Sequence, residues 1–139
     1  MSAQLSRDDW KGRIGGLSYR NQAFIGGKFV PSLTGKTFDC VNPATGQVLT
    51  KVAACEQADV DAAVKAARKA YDTVWSKMPA AERAKYIYRI ARLLQEKARQ
   101  FAVVESMDGG KAIRESRDVD VPLAAAHFFY YACWAYKLG

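Results

Sequence analysis

Val41-Asn42-Pro43-Ala44-Thr45-Gly46-Gln47-Val48 joins two runs of β-prone residues, Thr37 to Val41 and Val48 to Ala53. Asn-Pro and Thr-Gly are both turn dipeptides. The proline pushes Asn42 into an extended conformation, and Gly46 tolerates a positive φ. The stretch therefore predicts an antiparallel hairpin closed by this turn.

A second hairpin is predicted just upstream. Phe24-Ile25 and Lys28-Phe29-Val30 flank Gly26-Gly27, a pair suited to the primed turns of two-residue hairpins. Residues 1–21 show no clear periodicity, and three glycines make residues 11–17 resemble a loop. We predict an N-terminal arm over residues 1–21 and the main body, part of one domain, over residues 22–139.

Three helices follow at helical spacing of apolar residues. The first runs to Val74, the second from Ala81 to about Met107, and the third from Val121 to Tyr136. Gly109-Gly110 ends the second helix. The predicted apolar faces consist of Val60, Ala63, Val64, Ala67, Tyr71 and Val74 in the first helix, and Ile87, Ile90, Ala91, Leu94, Ala98, Phe101 and Val104 in the second.

The third helix is apolar on every side, and His127 is its only residue that could carry a positive charge. Such a helix is buried or faces a partner. The other two helices are too few to cover it, so the chain is predicted to be incomplete as a folding unit. The alternative is a membrane-associated helical protein, but Val121 to Tyr136 is shorter than the roughly 20 residues that span a bilayer.

The chain is basic, with 21 Lys and Arg against 14 Asp and Glu and a formal net charge of +7 over 139 residues. A basic helical nucleic-acid-binding module is therefore an alternative function. Glu82 and Glu96 interrupt the basic face of the second helix, however, and no basic tail accompanies it. We interpret these charges as solvated helix faces, and we expect neither nucleic acid nor a membrane as a partner.

No complete catalytic motif is found in the sequence. The three cysteines, Cys40, Cys55 and Cys133, form no C-x-x-C pair and are interpreted as small buried residues, reduced in a cytoplasmic setting. His127 is interpreted as a packing residue. Phosphate-cradling glycine motifs are also missing. The acidic residues near the third helix, Asp108, Glu115, Asp118 and Asp120, are interpreted as caps and solvated turns.

Six phrases in order resemble the start of the NAD(P)-dependent aldehyde dehydrogenases, from Phe24 to the last residue. They are Phe24-Ile25-Gly26-Gly27-Lys28-Phe29, Val41-Asn42-Pro43-Ala44-Thr45-Gly46, Asp59 to Ala67, Trp75 with Pro79-Ala80-Ala81-Glu82-Arg83, Glu105 to Lys111, and Tyr130-Tyr131-Ala132-Cys133-Trp134-Ala135. The sequence departs from the family pattern at Met78 (often Ser or Thr), Ala112 (often Pro) and Cys133 (often Gly).

The resemblance implies an α/β fold. Short β-hairpins and then three helices would form the N-terminal part of the aldehyde dehydrogenase fold and flank a Rossmann-like cofactor domain that is largely missing. Residues 22–139 would be the incomplete N-terminal portion of the cofactor-binding domain. It also implies oxidation of an aldehyde to a carboxylic acid with NAD or NADP, through a cysteine thiohemiacetal and thioester. By the family pattern, the nucleophile, the base and the cofactor motifs lie beyond Gly139. We therefore expect the 139-residue chain alone to be catalytically incompetent.

The resemblance also implies partners and secondary sites within the chain. The partners are the remainder of the dehydrogenase chain, a small-molecule aldehyde and further copies in a homo-oligomer. A monovalent cation, Na⁺ or K⁺, would be held by the carbonyls of Cys40 and Val41 and by Asp108, for which a helix-end hydrogen bond is the alternative. Val119 and Leu123 would line the substrate tunnel, with ordinary packing as the alternative.

Overall fold

A computed structural model describes residues 6–137 of the chain. The strands are β1 (Ala23–Ile25), β2 (Lys28–Val30), β3 (Thr37–Val41) and β4 (Val48–Ala53). The helices are α1 (Arg7–Ile14), α2 (Gln57–Thr73), α3 (Ala80–Glu96), α4 (Ala98–Gly109), the single turn α5 (Ile113–Glu115) and α6 (Val121–Lys137). A 3-10 turn covers Trp75–Lys77, and a π turn covers Ser116–Asp120.

The strands form two separate antiparallel hairpins, as predicted. β1 pairs with β2, and β3 pairs with β4 with Thr37 opposite Ala53. In the first turn Gly26 and Gly27 both have positive φ, 59° and 81°, which residues with a side chain rarely adopt. The glycine pair thus closes the hairpin for the predicted reason.

The Asn-Pro turn is held by the backbone and side chain of Asn42. Its N–H donates to the Gln47 carbonyl at 2.9 Å, and its own carbonyl accepts from the N–H of Gly46 at 2.8 Å. Its side-chain oxygen accepts from the Ala44 N–H at 2.9 Å, which is an Asx turn. Gly46 has φ 70°, as the turn pattern predicts.

The helical core lies where α3 packs against α6. The start of α3 lies beside the end of α6, and the Tyr88 and Phe129 rings meet edge to face with centroids 4.9 Å apart. The buried apolar residues of the described structure are mostly small, which allows the helices to approach closely. They are Ala91, Ala102, Val103, Val121, Ala125 and Ala132. In the described part of the chain, no helix is both long and apolar enough to cross a membrane.

The second predicted helix is divided at Lys97 into α3 and α4, contrary to the single helix expected to Met107. Lys97 has φ −102° and ψ 14°, outside helical geometry. Beyond it, α4 packs on the π turn, where the Ser106 hydroxyl donates to the buried Ser116 hydroxyl at 3.2 Å. Two residues of the predicted apolar face of the second helix, Ile90 and Phe101, are exposed in the described structure, contrary to their predicted burial.

Residues in the predicted loop of the arm form a helix. Ser6 caps α1 through its hydroxyl, which accepts from the Asp9 N–H, while the Asp9 carboxylate accepts from the Ser6 N–H. This capping box satisfies backbone donors that a short helix would otherwise leave unpaired. The glycines at 15 and 16 follow the helix instead of preventing it.

α2 forms as predicted, but the described residues leave its apolar face largely open. Val60, Val64, Tyr71 and Val74 are exposed. The helix is fixed at its start by Asp59, which is 3% exposed and accepts backbone N–H groups from Leu33 and Glu56, both at 2.9 Å. The predicted amphipathic helix is therefore present, and its apolar side is open in the described residues.

Candidate functional site

The Asn-Pro turn packs against the end of α4. Gly110 follows that helix with φ 72°, and a Cβ placed on it would lie 2.7 Å from Pro43 Cγ. Only glycine permits both the left-handed backbone and this close approach. The contact brings the end of β3 next to Asp108.

Cys40 and Asp108, two residues of the predicted cation site, are in direct contact. The Cys40 thiol donates to Asp108 Oδ1, with Sγ and Oδ1 3.0 Å apart. The hydrogen bond to Asp108 raises the pKa of the Cys40 thiol above its ordinary value, with desolvation and the carboxylate charge adding to the effect. Cys40 is therefore kept protonated and is a weak nucleophile at neutral pH.

Tyr19 extends this junction toward the arm. Its hydroxyl donates to Met107 Sδ at 3.6 Å. Partial burial raises the pKa of Tyr19, and the nearby Cys40 and Asp108 groups raise it further. The neutral phenol and the neutral thiol thus leave the Asp108 carboxylate as the negative group of the junction.

The donor set at this junction is compatible with a monovalent cation. Carboxylate and backbone carbonyl oxygens are hard donors, which suit hard cations. The β3–β4 register shifts between Cys40 and Val41, so regular ladder pairing is interrupted at the two residues predicted to offer carbonyls. Within residues 6–137 no three or more His, Cys, Asp or Glu side chains cluster as a metal site, and the predicted set relies on backbone oxygens instead.

A second region lies where the end of α3, α4 and the start of α6 meet around a cavity of about 420 Å³. Its lining comprises Leu94, Phe101, Glu105, Lys111, Asp120, Val121, Leu123, Ala124 and His127. Leu123, predicted to line the tunnel, thus faces a cavity. Val119 is 54% exposed on the π turn and is not among these lining residues, so the structure does not bring the two together there.

One rim of this cavity is charged. Lys111 Nζ lies 2.6 Å from Asp120 Oδ2. That hydrogen bond raises the pKa of Lys111 against the opposing effect of desolvation, and the charges of Asp120, Glu105 and Glu115 raise it further. Asp120 therefore pairs directly with the Lys111 ammonium, and the charges of Glu105 and Glu115 further favour its charged form.

This charged rim was missed from the sequence. Asp120 was interpreted as a cap or solvated turn, but it pairs with Lys111; His127, interpreted as a packing residue, is exposed at the same cavity. The spacing of Asp120, Leu123, Ala124 and His127, which places them on one helix face, was the available signal. The predicted burial of the cysteines is also wrong for two of them, because Cys55 and Cys133 are exposed free thiols.

Comparison with known proteins decides the family. The model of the aldehyde dehydrogenase family matches residues 29–139. The chain belongs to the aldehyde dehydrogenase family. The sequence resemblance is confirmed, and the two hairpins and the following helices are the N-terminal part of the aldehyde dehydrogenase fold.

Relatives of this aldehyde dehydrogenase segment come from several organisms. DhaS of Bacillus subtilis, provisionally named an aldehyde dehydrogenase, is 47% identical over 88% of the chain and 25% of its own length. The aminoacetaldehyde dehydrogenase of Pseudomonas aeruginosa is 42% identical over 88% of the chain and 25% of its own length. The chain therefore spans about a quarter of the curated relatives it matches.

Solved aldehyde dehydrogenases match the structure closely. An indole-3-acetaldehyde dehydrogenase complexed with NAD⁺ superposes with a TM-score of 0.93, at 38% identity over 98% of this chain and 28% of its own. A gamma-glutamyl-gamma-aminobutyraldehyde dehydrogenase from Burkholderia cenocepacia gives the same TM-score at 40% identity, over 97% of this chain and 28% of its own. The segment thus keeps the family backbone from the arm to α6.

Proposed function

We propose that this chain supplies the N-terminal portion of an enzyme that oxidises a small aldehyde to a carboxylic acid with NAD or NADP. The observation that carries the proposal is the family match over residues 29–139, together with the close superposition on a dehydrogenase complexed with NAD⁺. In this proposal residues 1–21 are an arm, and residues 22–139 are part of the cofactor-binding domain of an enzyme that works as a homo-oligomer.

The chain alone is proposed to lack catalysis. Bound NAD or NADP would accept the hydride. By the family pattern, the cysteine nucleophile, the glutamate base and the cofactor motifs come from the remainder of the enzyme. A thiol nucleophile needs a base or an electropositive setting. Cys40 has the opposite setting, because its thiol donates to the Asp108 carboxylate.

Two secondary roles are proposed for residues of this chain. Asp108 and the carbonyls of Cys40 and Val41 hold Na⁺ or K⁺, which is supported by the contact between Cys40 and Asp108 and by the interrupted ladder at Val41. Leu123 and Val119 contribute to the wall of the aldehyde tunnel. Leu123 is supported by its place in the lining of the 420 Å³ cavity. Val119 is supported only by the exposure of its side chain.

The test compares two proteins. The first is the 139-residue chain, and the second is the same chain joined to the part of the Pseudomonas aeruginosa relative that follows the matched region. We expect no NAD- or NADP-dependent oxidation of aminoacetaldehyde by the first and measurable formation of reduced cofactor by the second. Aldehyde oxidation by the 139-residue chain itself would overturn the proposed division of roles, and an inactive, folded joined protein would contradict its place in the enzyme.

A further inference from the structure

The N-terminal arm runs from α4 to the end of β4 and is attached to the main body at both places. Its helix α1 packs against α4. Farther along the arm, the Asn21 carbonyl accepts from the Ala53 N–H at 2.8 Å, at the end of β4. Tyr19 lies between these two attachments in the sequence. The main body therefore holds the backbone on both sides of Tyr19.

The side chain of Tyr19 contacts the end of α4. Its hydroxyl donates to Met107 Sδ at 3.6 Å, across 88 positions of sequence. The residue after Met107 is Asp108, which supplies the carboxylate of the proposed cation site. Tyr19 is half-buried; this burial raises its pKa, and the nearby charges of Cys40 and Asp108 raise it further. The phenol thus adjoins both side chains that meet at this junction.

We propose that Tyr19 is a further residue of the Na⁺ or K⁺ site and that its ring shields the bound cation from water. The inference rests on the proposed function, because that function assigns the cation to Asp108 and to the carbonyls of Cys40 and Val41. Attraction between an ion and a carboxylate is stronger where less water screens it. A protonated phenol suits this place, because it is neutral and does not repel a cation.

The Tyr19 ring contributes more to this effect than its hydroxyl does. Methionine sulfur is a weak acceptor, so the contact with Met107 contributes little to holding the arm. The ring has the volume that keeps water from the junction. Tyr19→Phe keeps the ring and removes the hydroxyl, whereas Tyr19→Ala removes both. A comparison of the two variants therefore separates shielding from hydrogen bonding.

The arm and the cation are expected to stabilise each other. If the docked arm strengthens cation binding, the cation strengthens docking of the arm by the same factor. Arg20, which follows Tyr19, reports on docking because its guanidinium lies 4.9 Å from the centroid of the Phe29 ring. Trypsin cleaves after Arg20 only when this side chain leaves that ring. The unmodified arm thus offers a readout that needs no substitution.

The first measurement is the affinity of the joined protein for K⁺. K⁺ replaces tetramethylammonium at constant ionic strength, and the rise of the thermal midpoint gives the apparent affinity. We expect Tyr19→Ala to weaken K⁺ binding at least fivefold and Tyr19→Phe less than twofold. Asp108→Asn is expected to abolish the response to K⁺. Tyr71→Ala, at an exposed ring on α2, is the matched control and should change the affinity less than twofold.

Two results of this measurement would overturn the proposal. One is a K⁺ affinity in Tyr19→Ala within twofold of that of the joined protein without substitutions. The other is the absence of any response to K⁺ in the joined protein. Circular dichroism checks that each variant folds.

The second measurement follows tryptic cleavage of the joined protein without substitutions by mass spectrometry. We expect K⁺ to slow cleavage after Arg20 at least threefold and to change cleavage after Lys77, in the 3-10 turn, less than twofold. The slowing should be absent in Asp108→Asn. Equal rates of cleavage after Arg20 in K⁺ and in tetramethylammonium would contradict the coupling of arm and cation, even if Tyr19→Ala failed to fold.

Aldehyde oxidation by the joined protein separates this inference from the proposed function. If K⁺ protects the bond after Arg20 and the K⁺ affinity depends on Tyr19, but the joined protein oxidises no aldehyde, the shielding role stands and the proposed function fails. If the joined protein is active and Tyr19→Ala binds K⁺ equally well, the proposed function stands and the shielding role fails.

Discussion

Asp108 connects two distant parts of the chain through a single hydrogen bond. Its Oδ1 accepts the Cys40 thiol proton at 3.0 Å, across 68 positions of sequence. The family resemblance places both residues at a cation site, with Cys40 contributing its backbone carbonyl and not its thiol. Sequence could not reveal that contact, because side-chain direction on β3 depends on how the Asn-Pro turn meets α4.

The Cys40–Asp108 contact predicts a pH-dependent reactivity. Because the hydrogen bond raises the pKa of Cys40, the folded chain holds the thiol proton more tightly than the unfolded chain does. The stability it contributes is present below the ordinary thiol pKa of about 8.5 and is lost as pH rises through the higher folded value. We expect alkylation of Cys40, followed by mass spectrometry, to show a midpoint above that of an ordinary thiol.

Asp108→Asn is the matched variant for this prediction. It removes the carboxylate charge while keeping the size of the side chain, so the Cys40 midpoint should move down toward the ordinary value. A midpoint that does not change in Asp108→Asn would show that Asp108 does not control the thiol. The unmodified chain also allows a test of the proposed cation. A lower Cys40 midpoint in buffer containing K⁺ than in buffer containing tetramethylammonium would support it, because a nearby positive charge favours the thiolate.

Strands and helices differ in how far local sequence determined them. β3 and β4 begin and end at the predicted residues, because Asn42 and Gly46 specify the turn by their own hydrogen bonds and φ value. The break at Lys97 was not predictable from local signals, since no Gly or Pro marks it and the packing of α4 on the π turn accompanies it. α1 was missed because the Ser6–Asp9 capping box was overlooked beside the nearby glycines.

The junction between α4 and the Asn-Pro turn predicts a glycine-specific effect. Gly110→Ala would force a Cβ to 2.7 Å from Pro43 Cγ on a backbone with φ 72°. We expect the substitution to lower the free energy of unfolding by about 2 kcal/mol or more, measured by urea denaturation, because the strain of the left-handed backbone and the overlap add. If the Asn-Pro turn moves away from α4 to relieve this overlap, Asp108 also moves away from Cys40.

Gly109→Ala is the control at the adjacent position. Its Cβ would meet only Glu105 Oε1, at an ordinary 3.7 Å, and the residue lies within α4. Alanine is the better helix former there, so the expected change is a gain or loss of under about 1 kcal/mol. Equal losses for the two substitutions would mean that the contact with Pro43 contributes nothing to stability.

At the scale of the whole molecule, the sequence predicted an incomplete unit, and exposed apolar faces on α2 and α6 accompany a chain spanning a quarter of its relatives. The family and the partial fold followed from the six ordered phrases. The charged cavity rim did not, because Glu105, Lys111 and His127 come from separate parts of the chain and meet only after α4, the π turn and α6 pack. Helix periodicity places Asp120, Leu123 and His127 on one face, but it does not reveal that Glu105 and Lys111 meet that face.

The tunnel proposal predicts an effect that appears only in the completed enzyme. In the joined protein, Leu123→Trp should lower kcat/KM for bulky aldehydes about tenfold relative to small ones, because a larger side chain narrows the wall. Leu33→Trp is the control, since Leu33 is 73% exposed on the loop between the hairpins. If the ratio of kcat/KM for bulky and small aldehydes is the same in both variants, Leu123 is not part of the tunnel.

The π turn rotates the side chains of α6 about the helix axis relative to those that precede the turn. The Val121 N–H bonds the Ser116 carbonyl five residues back, so this turn holds one residue more than an α-helical turn. One extra residue rotates every later side chain by about 100° relative to an uninterrupted helix. Val119 and Leu123 therefore need not share a side although they are four apart, and deleting one residue between Ser116 and Asp120 would turn the buried seam of α6 away from α3.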